Sequence, residues 1–447
     1  MMPHSSRRLA RPIGFWLQAA ALGALPLAGV ACGNDAPGGA ANGVPMGGAA
    51  GSSSNNTTSG SGGSASPSGG SSAGNYADVA GSTAGGAGTS GGSAGSGNSA
   101  GSGNGGGSAG SGSGGGSMLP EVSAEGDGDF MVGPNYTTDP DVTDQGKPKG
   151  KRYSFSMSSA TSQIFKGDDA TLTKPWRMQG QTSFNRNITV YVPALYKDGS
   201  EAPVLVIQDG PGPIDTIARA LDNLTVATDP MKKIPAFIAV AVANGSDRDG
   251  SDGRGSERGL EYDTMSDRYS RFIDTEVLPA VAANALVKAD YPNLKFTANP
   301  QGRAAFGCSS GGAAALSMAW FANNVWNRAI TYSGTFVAQQ NSAQPEAQMF
   351  PYGAWEYHSN TELIKNMPMK PLRVTINANQ NDLGAGTGDA KQHDWLLANQ
   401  RTAAALKAKG YHYRYHYAAG LGHCDFKIEQ QTIGENLSWL WRGYAAP

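Results

Sequence analysis

The chain of 447 residues is poor in cysteine, histidine and net charge. Its formal net charge is −2, and no block of lysine and arginine stands in its globular part, which argues against nucleic acid as a partner. Three cysteines leave room for a single intramolecular bridge and exclude a larger disulfide framework. Six histidines are a short list from which to choose a catalytic base. Large side chains are almost missing from residues 33–118, which are nearly all Gly, Ser, Ala and Asn. Such a stretch has too little apolar surface to offset the entropy of ordering, and it reads as a disordered linker. As a Gly/Ser coil it spans on the order of 50 Å.

Residues 1–32 are expected to direct export. Arg7, Arg8 and Arg11 precede an apolar run from Ile13 to Ala31. The run ends at Leu27-Ala-Gly-Val-Ala-Cys32, which resembles a lipoprotein cleavage box with Cys32 as the acylated residue, although Gly29 stands where that pattern prefers leucine. The expectation is a lipoprotein at the periplasm or cell surface, touching membrane only through its lipid. Plain secretion and an uncleaved anchor are the alternatives. Residues 119–447 are long enough for one large core. An exported chain meets an oxidising compartment, where paired cysteines form disulfides.

Apolar and amphipathic runs alternate along this part. Strands are expected at 152–157 and 188–192, which alternate, and at 203–208 and 237–242, which do not and so read as buried on both faces. Further strands are expected at 303–307, 329–332, 372–376 and 411–417, and helices at 264–285, 311–323, 395–409 and 429–441. Interleaved strands and helices predict an α/β fold with a mainly parallel sheet and helices on both faces. The first two strands lack an intervening helix, which predicts an antiparallel N-terminal edge. This is the order of an α/β-hydrolase.

Gly307-Cys-Ser-Ser-Gly311 lies between a predicted strand and a predicted helix, the setting of a nucleophile elbow. It lifts Ser309 above the sheet and offers the Ser310 N–H to a developing oxyanion. A serine hydroxyl needs a base. His423 follows the last strand in the glycine-rich loop 419–422, where this fold places its base. His412 and His416 alternate along that strand as wall or surface groups, and His358 and His393 sit in loops or at element ends. Asp382 follows the strand before the histidine and is the expected acid; Asp389 and Asp394 lie in the same connection and stay open. Cys308 and Cys424 are the immediate neighbours of Ser309 and His423, so an assembled triad brings them close enough to bridge.

These residues and their surroundings resemble the esterase family that includes enterochelin (enterobactin) esterases and feruloyl esterases. The resemblance runs roughly from Gly126 to Tyr444. Its most specific parts are 125–130 (EGDGDF), 206–210 (VIQDG), 261–269 (EYDTMSDRY), 302–316, 332–336 (YSGTF) and 395–401 (WLLANQR). It implies an α/β-hydrolase with Ser309, Asp382 and His423 as triad, and no metal or cofactor. The cysteine doublets are similar to those of tannases and fungal feruloyl esterases, where such a pair is bridged. In the family, the residue after the Asp-Gly of the third strand supplies the second oxyanion N–H. That position is Pro211 here, which has none, so Gly210 or Gly212 is expected to donate instead.

The expected function is an exported serine esterase acting through an acyl-enzyme on a small-molecule or polysaccharide-linked ester. The alternatives are a surface-displayed binding module on a hydrolase scaffold, and an acyltransferase. The sequence does not set the oligomeric state.

Overall fold

Val204–Ile207 and Ile238–Val242 are short, apolar and buried along their whole length. Only a strand covered on both faces does this, and these two form the centre of the sheet. The computed structural model describes residues 125–167, 169, 183–245 and 257–445. The export signal, Cys32 and the linker 33–118 expected from the sequence lie outside the described residues.

Eleven strands are described: β1 (Gly128–Val132), β2 (Lys151–Ser158), β3 (Asn185–Val192), β4 (Glu201–Ala202), β5 (Val204–Ile207), β6 (Ile238–Val242), β7 (Lys295–Phe296), β8 (Arg303–Cys308), β9 (Arg328–Tyr332), β10 (Arg373–Asn381) and β11 (His412–Gly422). Nine form one sheet in the order β1-β11-β10-β9-β8-β5-β6-β3-β2, and β4 pairs with β7 apart from it. β2 and β3 are antiparallel, as are β3 and β6; every other pair in the large sheet is parallel. The antiparallel edge and parallel centre are those of an α/β-hydrolase. The alternating period of β5 splits the core. Val204 and Val206 face one side, with Trp320 of the helix Ser310–Phe321, and Leu205 and Ile207 face the other, with Leu221 and Leu437.

Three features differ from the sequence expectation. β1 adds a parallel strand beyond β11, at the edge opposite β2. The helix Ile214–Leu224 starts directly after Pro213, with no side chain capping it, so its usual start signal is missing. The single helix expected over 264–285 is broken. Arg268–Phe272 runs into a π-turn at Ile273–Val277 and then Leu278–Ala283, where Asn284 breaks off to cap Ala285–Asp290. Asp263 and Thr264, at the expected start of that helix, are buried.

Candidate active site

β8 ends at Cys308, and the next residue turns the chain into the helix Ser310–Phe321. Ser309 makes that turn at φ 58° and ψ −131°, a conformation that costs an L-residue energy and is held only by its surroundings. Backbone bonds hold it: Ser309 N–H donates to Tyr332 O (3.0 Å), and Ser309 O accepts from Gly312, Ala313 and Thr335. Gly307 has to be glycine, because a Cβ there would lie 2.2 Å from the Gly311 carbonyl. The strand–turn–helix geometry expected of an elbow is present, with the Ser310 amide at the unsatisfied N-terminus of the helix.

His423 directly follows β11, which runs through the 419–422 stretch expected as a loop, and Asp382 follows β10, next to a register shift between Asn379 and Asn381. His423 Nδ1 lies 2.5 Å from Asp382 Oδ1, which also accepts from Leu383 N–H (2.8 Å). An ionised carboxylate only accepts, so Nδ1 carries the hydrogen and Nε2 is left with a lone pair. The Asp382 side chain is fully buried and that of His423 is 21% exposed, so the pair is closed on the acid side and open on the base side. Cys308 and Cys424 form a disulfide that joins the strand before Ser309 to the loop after His423. Ser309 Oγ does not bond His423; it lies 3.3 Å from Thr335 Oγ1.

The other candidate acids and histidines stand elsewhere. Asp389 is exposed and pairs with Arg401 through two bonds. Asp394 caps the helix Trp395–Lys409 at Leu397 N–H and also accepts from Gly386 and Gly388. Asp425 caps the helix Phe426–Leu440. His412 pairs with Asp127 and His393 with Lys391 O. Burial pushes His358 down to about 4 and His416 down to about 3. His358 donates to Phe336 O, and His416 packs on Phe130.

The loop after β5 forms the other wall. Asp209, at φ 65°, receives Arg258 (2.7 and 3.0 Å) and Asn244 (2.9 Å), and its own N–H donates to Tyr262 Oη (3.0 Å). Asp209 Oδ2 sits 2.8 Å from where a Cβ on Gly311 would be, so this loop packs directly on the elbow. The Gly210 N–H donates to Val242 O (3.0 Å) and is thereby committed to the fold. The Gly212 N–H makes no backbone bond among the described residues. Behind the elbow, Gln339 bridges the carboxylate of Asp263 (2.9 Å) and Ser310 Oγ (3.5 Å), and burial pushes Asp263 up to about 6.

Sequence reasoning missed four of these residues. Thr335 touches Ser309, and Trp395 donates to Thr335 (3.2 Å) and stands edge-on to His423. Ser333 accepts from Cys424 N–H (3.2 Å) and from Asn379 (3.1 Å), and Asn379 also donates to Gly422 O (2.5 Å). Three of the four lie in stretches already singled out, 332–336 and 395–401, but with no role attached. A hollow of about 600 Å³ between Tyr357–Lys365 and the helix Trp395–Lys409 touches none of the proposed triad. The chemistry therefore selects the site, and cavity size does not.

Residues 181–427 match the family described as "Esterase: Putative esterase". The chain belongs to this esterase family. Among solved structures it is similar to a ferulic acid esterase (15% identity, TM-score 0.44, covering 66% of this chain and 100% of that one). It is also similar to the ferric enterobactin esterase of Salmonella typhimurium (15%, 0.40, covering 65% of this chain and 58% of that one). A third is the BES protein of Bacillus cereus (13%, 0.42, covering 66% and 95%). The chain thus spans little more than half of the Salmonella enzyme. With TM-scores below 0.5, none of the three bears on the chemistry of this site. No curated protein matches the chain.

Proposed function

We propose that this esterase uses Ser309 as nucleophile, His423 as base and Asp382 as the group that orients His423. The observation that carries the reading is the 2.5 Å contact of His423 Nδ1 with buried Asp382, which leaves Nε2 as the free base. Ser309 Oγ attacks the ester carbonyl as its proton passes to His423 Nε2, and the carbonyl π pair moves to the oxygen. Ser310 N–H, with Gly212 N–H, donates to that oxyanion. The imidazolium returns its proton to the leaving alkoxide, and Asp382 stabilises the cation meanwhile. Water then cleaves the acyl-enzyme by the same path. The acyl donor is a carboxylic ester: a phenolic ester on polysaccharide, a siderophore lactone or an acetyl ester.

The reading also takes the protein to be exported and anchored through Cys32, with 33–118 as its tether and 119–447 as the catalytic domain. Mass spectrometry of the membrane fraction tests this by a diacylglycerol on Cys32. For the chemistry, a fluorophosphonate probe should label Ser309 in the full-length protein and leave Ser309→Ala unlabelled. An unlabelled wild-type protein would favour the second reading, a binding module on a hydrolase scaffold. Pro211 and the committed Gly210 amide are its support. Product analysis with added alcohols separates hydrolysis from acyl transfer.

A further inference from the structure

Ser309, Thr335 and Trp395 form a chain of three hydrogen-bonding groups. Trp395 Nε1 lies 3.2 Å from Thr335 Oγ1, which lies 3.3 Å from Ser309 Oγ. Thr335 is buried, and its backbone N–H is fixed on Ser309 O at 3.0 Å. The elements come together from three places: the turn after β8, the turn after β9 and the first residue of the helix Trp395–Lys409.

We infer that Thr335 donates its hydroxyl hydrogen to Ser309 Oγ, held in that sense by Trp395, and so directs the hydrogen of Ser309 toward His423. The inference rests on the reading of Ser309 as nucleophile and adds two residues to it. An indole N–H can only donate, so Thr335 Oγ1 accepts from Trp395. Thr335 has one hydrogen left, and Ser309 Oγ is the remaining partner of its hydroxyl. If Ser309 donated instead, the Thr335 hydrogen would be buried without an acceptor, an arrangement that folded proteins avoid. With Thr335 as donor, one lone pair of Ser309 Oγ is occupied and its hydrogen is free. That hydrogen is then available to His423 Nε2, the ring nitrogen that Asp382 leaves without a partner, although the two do not bond in the resting structure.

The same bond acts in turnover. On attack, the Ser309 O–H bond breaks, its proton goes to His423 Nε2 and the Oγ electron pair forms the bond to the acyl carbon. In deacylation, water gives a proton to His423 Nε2 as its oxygen adds to that carbon and the carbonyl π pair moves to the carbonyl oxygen. As the carbonyl re-forms, the C–Oγ bond breaks, its electron pair returns to Oγ, and Oγ takes that proton from His423. Ser309 Oγ carries developing negative charge in this second step, and the Thr335 hydroxyl already points at it. Thr335 touches the reacting atom and is a catalytic residue in this scheme; Trp395 is a positioning residue.

The test uses the full-length protein, with an aryl ester for turnover and a fluorophosphonate for single covalent labelling. Ser309→Ala and His423→Ala come first: turnover by Ser309→Ala overturns the triad and this inference together. With both controls inactive, Thr335→Val should lower kcat and the labelling rate by about tenfold, with KM within about twofold. Thr335→Ser, which restores the donor, should recover most of the loss. Trp395→Phe should slow labelling in the wild-type background and cost nothing further on Thr335→Val, since the two act through one hydroxyl. A Thr335→Val protein that labels at the wild-type rate, or a Thr335→Ser protein no better than Thr335→Val, overturns the inference while leaving the triad. Should Thr335→Val fail to fold by thermal melting, Trp395→Phe decides alone. An unchanged labelling rate in that folded variant overturns the relay.

Discussion

Cys308 and Cys424 are bridged with their Cα atoms 6.0 Å apart, and each is the chain neighbour of one member of the proposed Ser309–His423 couple. That spacing is ordinary for a disulfide. Cys424 sits at φ 50°, and its N–H donates to Ser333 Oγ (3.2 Å). Asn379, bonded to the same Ser333, holds Gly422 O. The loop that carries His423 is thus fastened on both sides: by hydrogen bonds to the ends of β9 and β10, and by a covalent bond to β8.

Removing the bridge should harm turnover more than folding. The Cys308→Ala/Cys424→Ala double variant opens a loop of sequence separation 116. Chain entropy sets its stability loss at about 5 kcal/mol at most. A small displacement of His423 from Ser309 costs about 10²-fold in rate, and kcat should fall by that order. Ester turnover and thermal melting of the purified variant check this. Unchanged kcat would show that the Ser333–Asn379 brace suffices by itself.

The three acidic residues of one connection should separate cleanly. Asp382→Asn removes the charge that fixes the His423 tautomer and should lower kcat by on the order of 10⁴. Asp389→Asn breaks an exposed pair with Arg401 and should leave kcat within about twofold. Asp394→Asn can keep the helix cap but turns an NH2 toward the Gly386 and Gly388 N–H groups, so it should lower the melting temperature while leaving kcat far above that of Asp382→Asn. If Asp389 or Asp394 proves to be the crippling position, the acid is misassigned.

Why some parts were legible in the sequence follows from the range of the interactions. β5 and β6 were readable because a strand buried on both faces must be apolar throughout. Ser309, Asp382 and His423 were placed by strand ends, which local patterns reveal. The fold class followed from the order of those elements. Thr335 and Ser333 gave no such sign, since Ser-Gly-Thr after a strand reads as a turn. Ser333 meets Asn379 at a separation of 46 residues, and only the folded sheet brings them together. The helix Ile214–Leu224 was hidden by its uncapped start, and the break near Asn284 by the apolar period running across it. The commitment of the Gly210 amide to Val242 is a tertiary bond of the same kind.

Gly307→Ala should destroy the elbow. Its Cβ would stand 2.2 Å from the Gly311 carbonyl carbon and oxygen, which are backbone atoms and cannot swing aside. The helix Ser310–Phe321 would have to move off β8, and its residues from Ser310 to Trp320 are all buried. Overpacking of this kind costs about 1–3 kcal/mol, and the shift of Ser309 should lower kcat by at least about 10²-fold. Melting temperature and probe labelling measure the two effects. A variant with wild-type labelling would mean that the turn adapts without moving the nucleophile.

Glu429 gives the protein a pH dependence that a single substitution should reveal. It lies in the first turn of the helix Phe426–Leu440, is nearly buried, and its Oε1 has no hydrogen-bond partner among the described residues. Burial alone pushes its carboxyl from 4.5 up to about 8. Between these values the folded state keeps a proton that the unfolded chain has released, so stability falls as pH rises. The slope is at most about 1.4 kcal/mol per pH unit. Below 4.5 both states are protonated, and above 8 both are ionised, so the effect is confined to this window. Glu429→Gln removes the titration and keeps the shape. The melting temperature of the variant minus that of the wild type should therefore grow from pH 4.5 to about 8 and then level off. His358 and His416, whose values are depressed by burial, act in the opposite sense by costing stability as pH falls below 6.5. They are present in both proteins and cancel in the difference. A gap that stays constant across the window would mean that Glu429 is ionised in the folded protein and has found a cation to meet it.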